Sequence, residues 1–271
     1  MKKNIIKHSS ILILALILSG CANKNKQSDN LENTKSIIFS DNEIRYYEKV
    51  YHKTYGNCIN DEDCAEIKIE FPEIISHGVA YDSINNYVQN RILSLPFNED
   101  KYKSMDEISD SLFSNYIDVK KEFDDYHTAW SIKTNISISG ITKNILSLKS
   151  VETIYTGGAN AFYNVNFANF NLSTGKFLNI DDVIPTKGLL GLKEIGKTIF
   201  YRLKNIEANK LEEQAGYWFE NKNFELNNNF AVTDSGLVFF YNLYEIAPRS
   251  MGTTELFIPK EKIAHLVEIY K

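Results

Sequence analysis

The sequence predicts an α+β fold. Two stretches with apolar residues at three- and four-residue spacing follow one another between Ala80 and Phe123, and period-2 alternation dominates on either side of them. Helices grouped between runs of antiparallel strands point to α+β rather than to a parallel α/β sheet. Antiparallel sheets with packed helices, in two closely associated subdomains, are the expected architecture.

The chain opens on a positive segment with Lys2, Lys3 and Lys7. An apolar run follows from Ile11 to Leu18 (ILILALIL), then the small residues Ser19 and Gly20 before Cys21. This is the grammar of a secretory signal. A membrane span needs roughly 20 apolar residues, and this run is far shorter. Leu18-Ser19-Gly20-Cys21 resembles the bacterial lipoprotein signal, which implies cleavage before Cys21 and acylation of that cysteine. More than one acyl chain holds a membrane firmly, so residues 1–20 read as signal peptide and residues 21–40 as lipidated cysteine and tether. Ala22 to Lys35 has one leucine among polar residues and buries too little to fold. Ala22 after the lipidated residue favours the outer membrane, if the cell has one.

Tyr46, Tyr47, Tyr51 and Tyr55 fall near helical spacing and fit either a sugar-stacking stripe or an amphipathic segment laid on the core. Cys58 and Cys64 are an even pair in an exported chain and read as a structural disulfide around a polar loop. Two thiolates with no second pair nearby cannot complete a tetrahedral zinc site, and no metal or cofactor is expected.

Ile67, Ile69 and Phe71 alternate with Lys68 and Glu70, a strand that Pro72 is expected to end. Ala80, Ile84, Tyr87, Val88, Arg91, Ile92 and Leu95 mark a helix stopped by Pro96. Met105, Ile108, Leu112, Tyr116, Val119 and Phe123 mark a second, with Ser104 as N-cap and Glu107 three residues on. Trp130, Ile132, Thr134, Ile136 and Ile138 give a long strand with one wet face, and Ile145 to Tyr155 its hairpin partner. Tyr163, Val165 and Phe167 share one parity and Phe170 and Leu172 the other, which predicts a bulge near Ala168-Asn169. A turn at Ser173-Thr174-Gly175-Lys176 leads to a capping pair, Asp181-Asp182, and then a helical stripe at Leu192, Ile195, Ile199, Leu203 and Ile206. The remainder is strand-rich, from Leu237 to Ile246 and Leu256 to Ile258.

Lys and Arg number 30 and Asp and Glu 35. Cleavage before Cys21 would remove three lysines and no acids, taking the net charge from −5 to −8. No basic patch with interleaved aromatics is present, so no nucleic-acid partner is expected. Acidic charge favours encounter with basic partners.

Three segments carry a family resemblance: Thr156-Gly157-Gly158-Ala159-Asn160, Asn171 to Lys176 with Asp181-Asp182, and Tyr244-Glu245-Ile246-Ala247-Pro248 with Gly252. In order and spacing they resemble the extracytoplasmic domain shared by RsiV-type anti-sigma factors and PdaC-type deacetylases. The part from Cys64 to Tyr155 resembles the companion N-terminal module. The resemblance implies a PdaC-like module over residues 41–157 and an RsiV-like module over 158–271. In RsiV-type proteins the domain is a lysozyme receptor. Neither a sigma-binding segment nor the deacetylase metal motifs are seen in this sequence, so a binding module is what the resemblance implies here.

Candidate ligand-binding residues are Gly158, Asn160, Tyr244, Pro248 and Arg249. A glycine pair lets backbone approach a ligand, though it serves turns equally well. Tyr, Pro and Arg on one loop supply rigid interface anchors, the competing reading being a core Tyr244 and a strand end at Pro248. Asp124-Asp125-x-His127 is the nearest approach to an acid/base cluster, at the end of a helix, while His52, His77 and His265 are scattered. No catalytic residue is assigned. The expected function is a lipid-anchored envelope protein that binds a lysozyme-type muramidase or peptidoglycan without turning it over. The alternatives are a cell-wall hydrolase or deacetylase assembled in space, and a structural subunit.

Overall fold

The computed structural model describes residues 34–39, 42–58, 63–94, 102–207, 210, 212–219 and 222–270. The signal-like segment, Cys21 and residues 22–33 lie outside the described residues, as do Leu95 and Pro96.

One sheet has seven strands side by side in chain order. They are β1 (Thr34–Phe39), β2 (Asn42–Gly56), β3 (Cys64–Ile74), β4 (Trp130–Thr142), β5 (Ile145–Tyr155), β6 (Phe162–Asn171) and β7 (Phe177–Leu178). A second sheet has three, β8 (Phe230–Thr233), β9 (Gly236–Tyr241) and β10 (Thr254–Pro259), in the order β10-β9-β8. The fold is α+β with two associated subdomains, as the sequence predicts. One feature differs: β3 and β4 run parallel. Parallel neighbours require a long crossover, and α1 (Val79–Leu93) and α2 (Met105–Glu122) supply it.

Both helices pack on the residues at the centre of their stripes, but Phe123, expected in the second stripe, is the C-cap of α2 and is 56% exposed. Ala80, Ile84, Val88 and Ile92 of α1 are buried, and so are Ile108, Leu112 and Tyr116 of α2. They form one core with the apolar face of β3, β4 and β5. Ser104 caps α2, its hydroxyl accepting from the Glu107 amide at 3.1 Å. The Glu107 carboxylate accepts from Lys103 N at 2.6 Å rather than from the cap residue. The predicted Cys58–Cys64 disulfide is formed, with a Cα separation of 5.2 Å.

Several expectations are corrected. The tyrosines from Tyr46 to Tyr55 lie on strand β2, not on a helix. Tyr47, Tyr51 and Tyr55 are four residues apart, and four is close to a helical turn but also a multiple of the strand period. Pro72 does not end its strand, because β4 pairs with β3 only as far as Glu70 and leaves Pro72 a single neighbour, β2. The β5–β6 register runs without interruption through Ala168 and Asn169, so the predicted bulge is absent. Apolar residues appear on both parities there because both faces of β6 are buried, one in the first core and the other against the second sheet. The irregularity sits in β4, between Ile138 and Gly140.

The second core lies between the three-stranded sheet and α4 (Thr186–Leu203), which follows the short α3 (Ile180–Val183). Asn179 and Asp182 cap α3 reciprocally, placing the Asp181-Asp182 pair where the sequence predicts. The buried line of α4 is Gly188, Leu192, Gly196 and Phe200. Leu203, expected in the stripe, is 49% exposed. A short α5 (Lys260–Ile263) closes the subdomain.

The two sheets are fastened by reciprocal side-chain bonds to each other's free strand edges. At the edge of β8, Asn169 of β6 donates to Phe230 O at 2.8 Å and accepts from Val232 N at 3.2 Å. Ser147 of β5 donates to the Val232 carbonyl at 2.9 Å and accepts from its amide at 3.0 Å. The same strand passes so close to β4 that a Cβ on Gly140 would lie 2.8 Å from Val232 O. In return, the outer edge of β6 before β7 begins is clasped by two asparagines flanking β8 and β9. Asn229 accepts from Phe167 N at 2.7 Å, Asn242 accepts from Val165 N at 2.8 Å, and both amides donate to Val165 O. These bonds satisfy backbone groups that would otherwise be buried unpaired. The first sheet is completed by β6 and β7, which follow residue 158, so the two expected modules share it.

Candidate binding surface

The segments carrying Gly158 and Asn160 and those carrying Tyr244, Pro248 and Arg249 lie together in space. Arg249 Nη2 donates to the Ala161 carbonyl at 3.3 Å. Asn242, two residues before Tyr244, clasps Val165 four residues beyond Ala161. The surface is therefore built on the start of β6, flanked by residues 156–161 on one side and 242–252 on the other.

Each predicted residue has a defined local setting. Tyr244 is 62% exposed with φ of 65°, a conformation that a bulky residue rarely adopts. It is not a core residue. The turn beneath it is held by Glu245, whose carboxylate accepts from Asn242 N at 2.7 Å and from Asn227 Nδ2 at 2.6 Å. Pro248 is exposed and begins a 3₁₀ turn over Arg249–Met251. Gly157 and Gly158 both have positive φ, 88° and 99°. A Cβ on Gly157 would strike the Tyr126 hydroxyl, which accepts from Trp130 Nε1 at 2.7 Å. A Cβ on Gly158 would meet nothing within 4 Å. The first glycine is required by packing, whereas the second borders open space. Gly158 and Asn160 are both exposed.

Trp218 joins this surface without having been singled out in the sequence. Its amide donates to Ile246 O at 2.9 Å, and its side chain is 43% exposed while its neighbours Tyr217 and Phe219 are buried. Tyr217, Trp218 and Phe219 are all aromatic and lie outside any strand, so the sequence carries no signal of which one faces solvent.

Acid/base groups are disposed differently. His127 Nδ1 lies 3.0 Å from the Asp63 carboxylate, and Lys120 pairs with the same group. Lys120, then His127, hold the Asp63 carboxyl below the usual aspartate range. Asp124 and Asp125 are exposed and take no part in that pairing. Among the described residues no group of three or more His, Cys, Asp or Glu is arranged to hold a metal ion.

Among the described residues two carboxylates are buried, and their surroundings push them in opposite directions. Burial raises Glu152, and the Arg91 guanidinium at 2.7 Å offsets this only in part. Burial also acts on Glu212, but hydrogen bonds and Lys197 at 3.2 Å outweigh it and hold the carboxyl below the usual range. One oxygen of each carboxylate, Glu152 Oε1 and Glu212 Oε2, has no hydrogen-bond partner among the described residues.

Two family models match separate stretches of the chain. Residues 58–163 match the family model "Deacetylase PdaC", and residues 185–261 match "Protein of unknown function (DUF3298)". No curated protein sequence matches the chain. Among solved structures, a DUF3298-family protein of Bacteroides fragilis NCTC 9343 superposes with a TM-score of 0.61 at 19% identity, over 88% of this chain and 94% of that one. A DUF3298-family protein of Pseudomonas aeruginosa PAO1 gives 0.59 at 16% identity, over 83% and 94%. At these identities the structural likeness establishes the shared fold. Residues 58–163 are thus similar to the PdaC family model and residues 185–261 to the DUF3298 model, on a fold shared with DUF3298-family structures.

Proposed function

We propose that this protein is an envelope lipoprotein, anchored through Cys21, whose α+β body is a non-catalytic receptor for a basic partner protein of the lysozyme type. The observation that carries the reading is the surface on which Arg249 is tied to Ala161, with Tyr244 standing exposed on the neighbouring turn. Exposed aromatic and Arg side chains on a braced scaffold are the residue types that dominate protein interfaces. Trp218 extends the same surface. The acidic balance of the chain steers a basic partner toward it.

Cell-wall glycan is the other ligand class for this body. Catalysis is a second reading, favoured by one observation, that the model matching residues 58–163 is described as a deacetylase. In that region His127 is engaged by Asp63, and Asp124 and Asp125 stand in solvent.

The test is equilibrium binding of the full chain, held in detergent, to lysozyme at two salt concentrations. Binding that weakens as salt rises, and that Tyr244→Ala and Arg249→Ala each reduce without lowering thermal stability, is the expected result. Absence of binding at either salt overturns the lysozyme reading. Release of acetate or of reducing ends from peptidoglycan fragments overturns the non-catalytic one.

A further inference from the structure

A separate concave site lies beside the Tyr244–Arg249 surface, where α1 meets the edge of the seven-stranded sheet; Asn229, which lines it, shares the Val165 carbonyl with Asn242. It is a cavity of about 530 Å³, lined by Tyr87 and Arg91 of α1, the cap residue Ser94 that follows it, Asn166 of β6, Phe177 of β7, and Asn228 with its neighbour Asn229. Its character differs from that of the two cores. Amide, hydroxyl and guanidinium groups alternate with aromatic rings.

The chemistry of the lining narrows the ligand. Arg91 brings the only formal charge among these residues, and Glu152 behind it takes that charge up at 2.7 Å. An anion would therefore compete with a carboxylate already in place. An extended peptide would normally use a strand edge for main-chain pairing. Here the edge of β6 is occupied, because Asn229 holds Phe167 N and Val165 O, and Asn242 holds Val165 N. What remains on offer is neutral. The Asn166 side-chain amide has no hydrogen-bond partner among the described residues. Asn228 uses its Oδ1 weakly, accepting from Ile180 N at 3.4 Å. Ser94 donates to Asn90 O at 2.8 Å and keeps its lone pairs.

The aromatic component is equally specific. Phe177 stacks on Tyr87 with centroids 6.1 Å apart and planes 28° from parallel, yet remains 43% exposed. Tyr87 is braced from behind by Phe170 at 5.1 Å. A rigid ring with a free face beside unspent amides offers dispersion contact to C–H groups and hydrogen bonds to hydroxyls at once. Behind the cavity wall, Ser150 faces Asn166 across the β5–β6 ladder and Glu152 faces Asn164. Ser150 Oγ, Glu152 Oε1 and Arg91 Nε are buried there without partners among the described residues.

From these observations we infer that the cavity between α1, β6 and β7 is a saccharide-binding site, taking a short neutral oligosaccharide with a sugar ring on Phe177 and its hydroxyls on Asn166 and Asn228. The inference is independent of the partner assigned to the Tyr244–Arg249 surface.

The test is saturation-transfer NMR on the full chain in detergent, with chitotetraose, cellotetraose and maltotetraose as probes, irradiating aromatic protons and reading the sugar C–H signals. At least one probe is expected to receive saturation, with a dissociation constant of about 1 mM or tighter. Asn166→Ala and Phe177→Ala are each expected to weaken that binding by about tenfold, equivalent to 1.4 kcal/mol. Asn166→Ala should keep the parent melting temperature, since it removes an amide without a partner, whereas Phe177→Ala also removes ring contacts to Tyr87 and Phe170 and should melt somewhat lower. Asn166→Ala decides the matter alone if Phe177→Ala melts early. Tyr244→Ala should leave sugar binding unchanged. No transfer to any probe at about 10 mM overturns the inference. So does binding indifferent to Asn166→Ala, or binding lost with Tyr244→Ala, each of which puts the sugar elsewhere.

Discussion

Arg249 donates from Nη2 to the carbonyl of Ala161 across a sequence separation of 88 residues, and this contact ties the two loops of the candidate surface together. The bond is single and half-exposed, so Arg249→Ala should cost the whole molecule no more than about 1 kcal/mol. Its effect should be local. Hydrogen exchange at Gly157, Gly158, Ala159 and Asn160 is expected to speed up while the strands keep their protection. Unchanged exchange in that loop would show that Arg249 does not brace it.

The amide of Asn169 serves three groups at once, Ser147 Oγ, Val232 N and Phe230 O, in a site closed to solvent. Asn169→Leu keeps the volume and leaves those groups without it. A loss of about 2–4 kcal/mol in chemical denaturation is expected, because buried groups without partners carry their full desolvation cost. A loss below about 1 kcal/mol would mean that the sheets can re-pair without this residue.

Glu152 and Glu212 predict opposite responses to a neutral substitute. The Glu212 carboxyl is held low, so its stabilisation is present above the ordinary carboxylate pKa and is lost as pH falls through the lower folded value. The Glu152 carboxyl is held high, so the fold gains from it below the ordinary value and loses that gain as pH rises through the raised one. At neutral pH, Glu212→Gln should destabilise by about 1–3 kcal/mol. Glu152→Gln should be neutral or stabilising, since the amide oxygen still accepts from Arg91. Denaturation midpoints at pH 7 test the pair. The deficit of Glu212→Gln should shrink on acidification, and a deficit that persists at low pH would assign its cause to packing instead.

Adjacent glycines separate steric from conformational cost. Gly157 and Gly158 share positive φ, but only Gly157 has a side chain, that of Tyr126, in the place of a Cβ. Both alanine variants should lose stability to backbone strain. Gly157→Ala should lose at least about 1 kcal/mol more, through the displaced Tyr126 and Trp130 pair. Equal melting temperatures would show that Tyr126 moves aside freely.

How much of this was legible in the sequence depends on how each element is buried. Strand β4 and helices α1 and α2 bury one face and leave the other wet, so their periods stand out. Strand β6 is buried on both faces, its alternation vanishes, and the apparent change of parity at Phe170 imitated a bulge. The tyrosines of β2 satisfied two periods at once, and nothing local chose between them. Asn229, Asn242 and Ser147 gave no signal of their role. Their partners are backbone groups 62 to 85 residues away, and an asparagine within Asn227-Asn228-Asn229 reads as turn chemistry. Of the candidate surface, the individual turns were visible, while their meeting through Arg249 was a product of the fold. Trp218 is not distinguished in the sequence, because it stands between two other aromatic residues and only the fold decides which of the three is exposed.

An uncovered strand edge is an invitation to any other chain with a free edge of its own. The amides of Asn229 and Asn242 decline it on behalf of β6, using side chains that already belong to the molecule and requiring no eighth full-length strand. The same two residues therefore act as wardens against fibril-like self-templating. Replacing both with leucine would keep their bulk and reopen the edge, so a variant that folds should be recognised by concentration-dependent assembly and not by loss of shape.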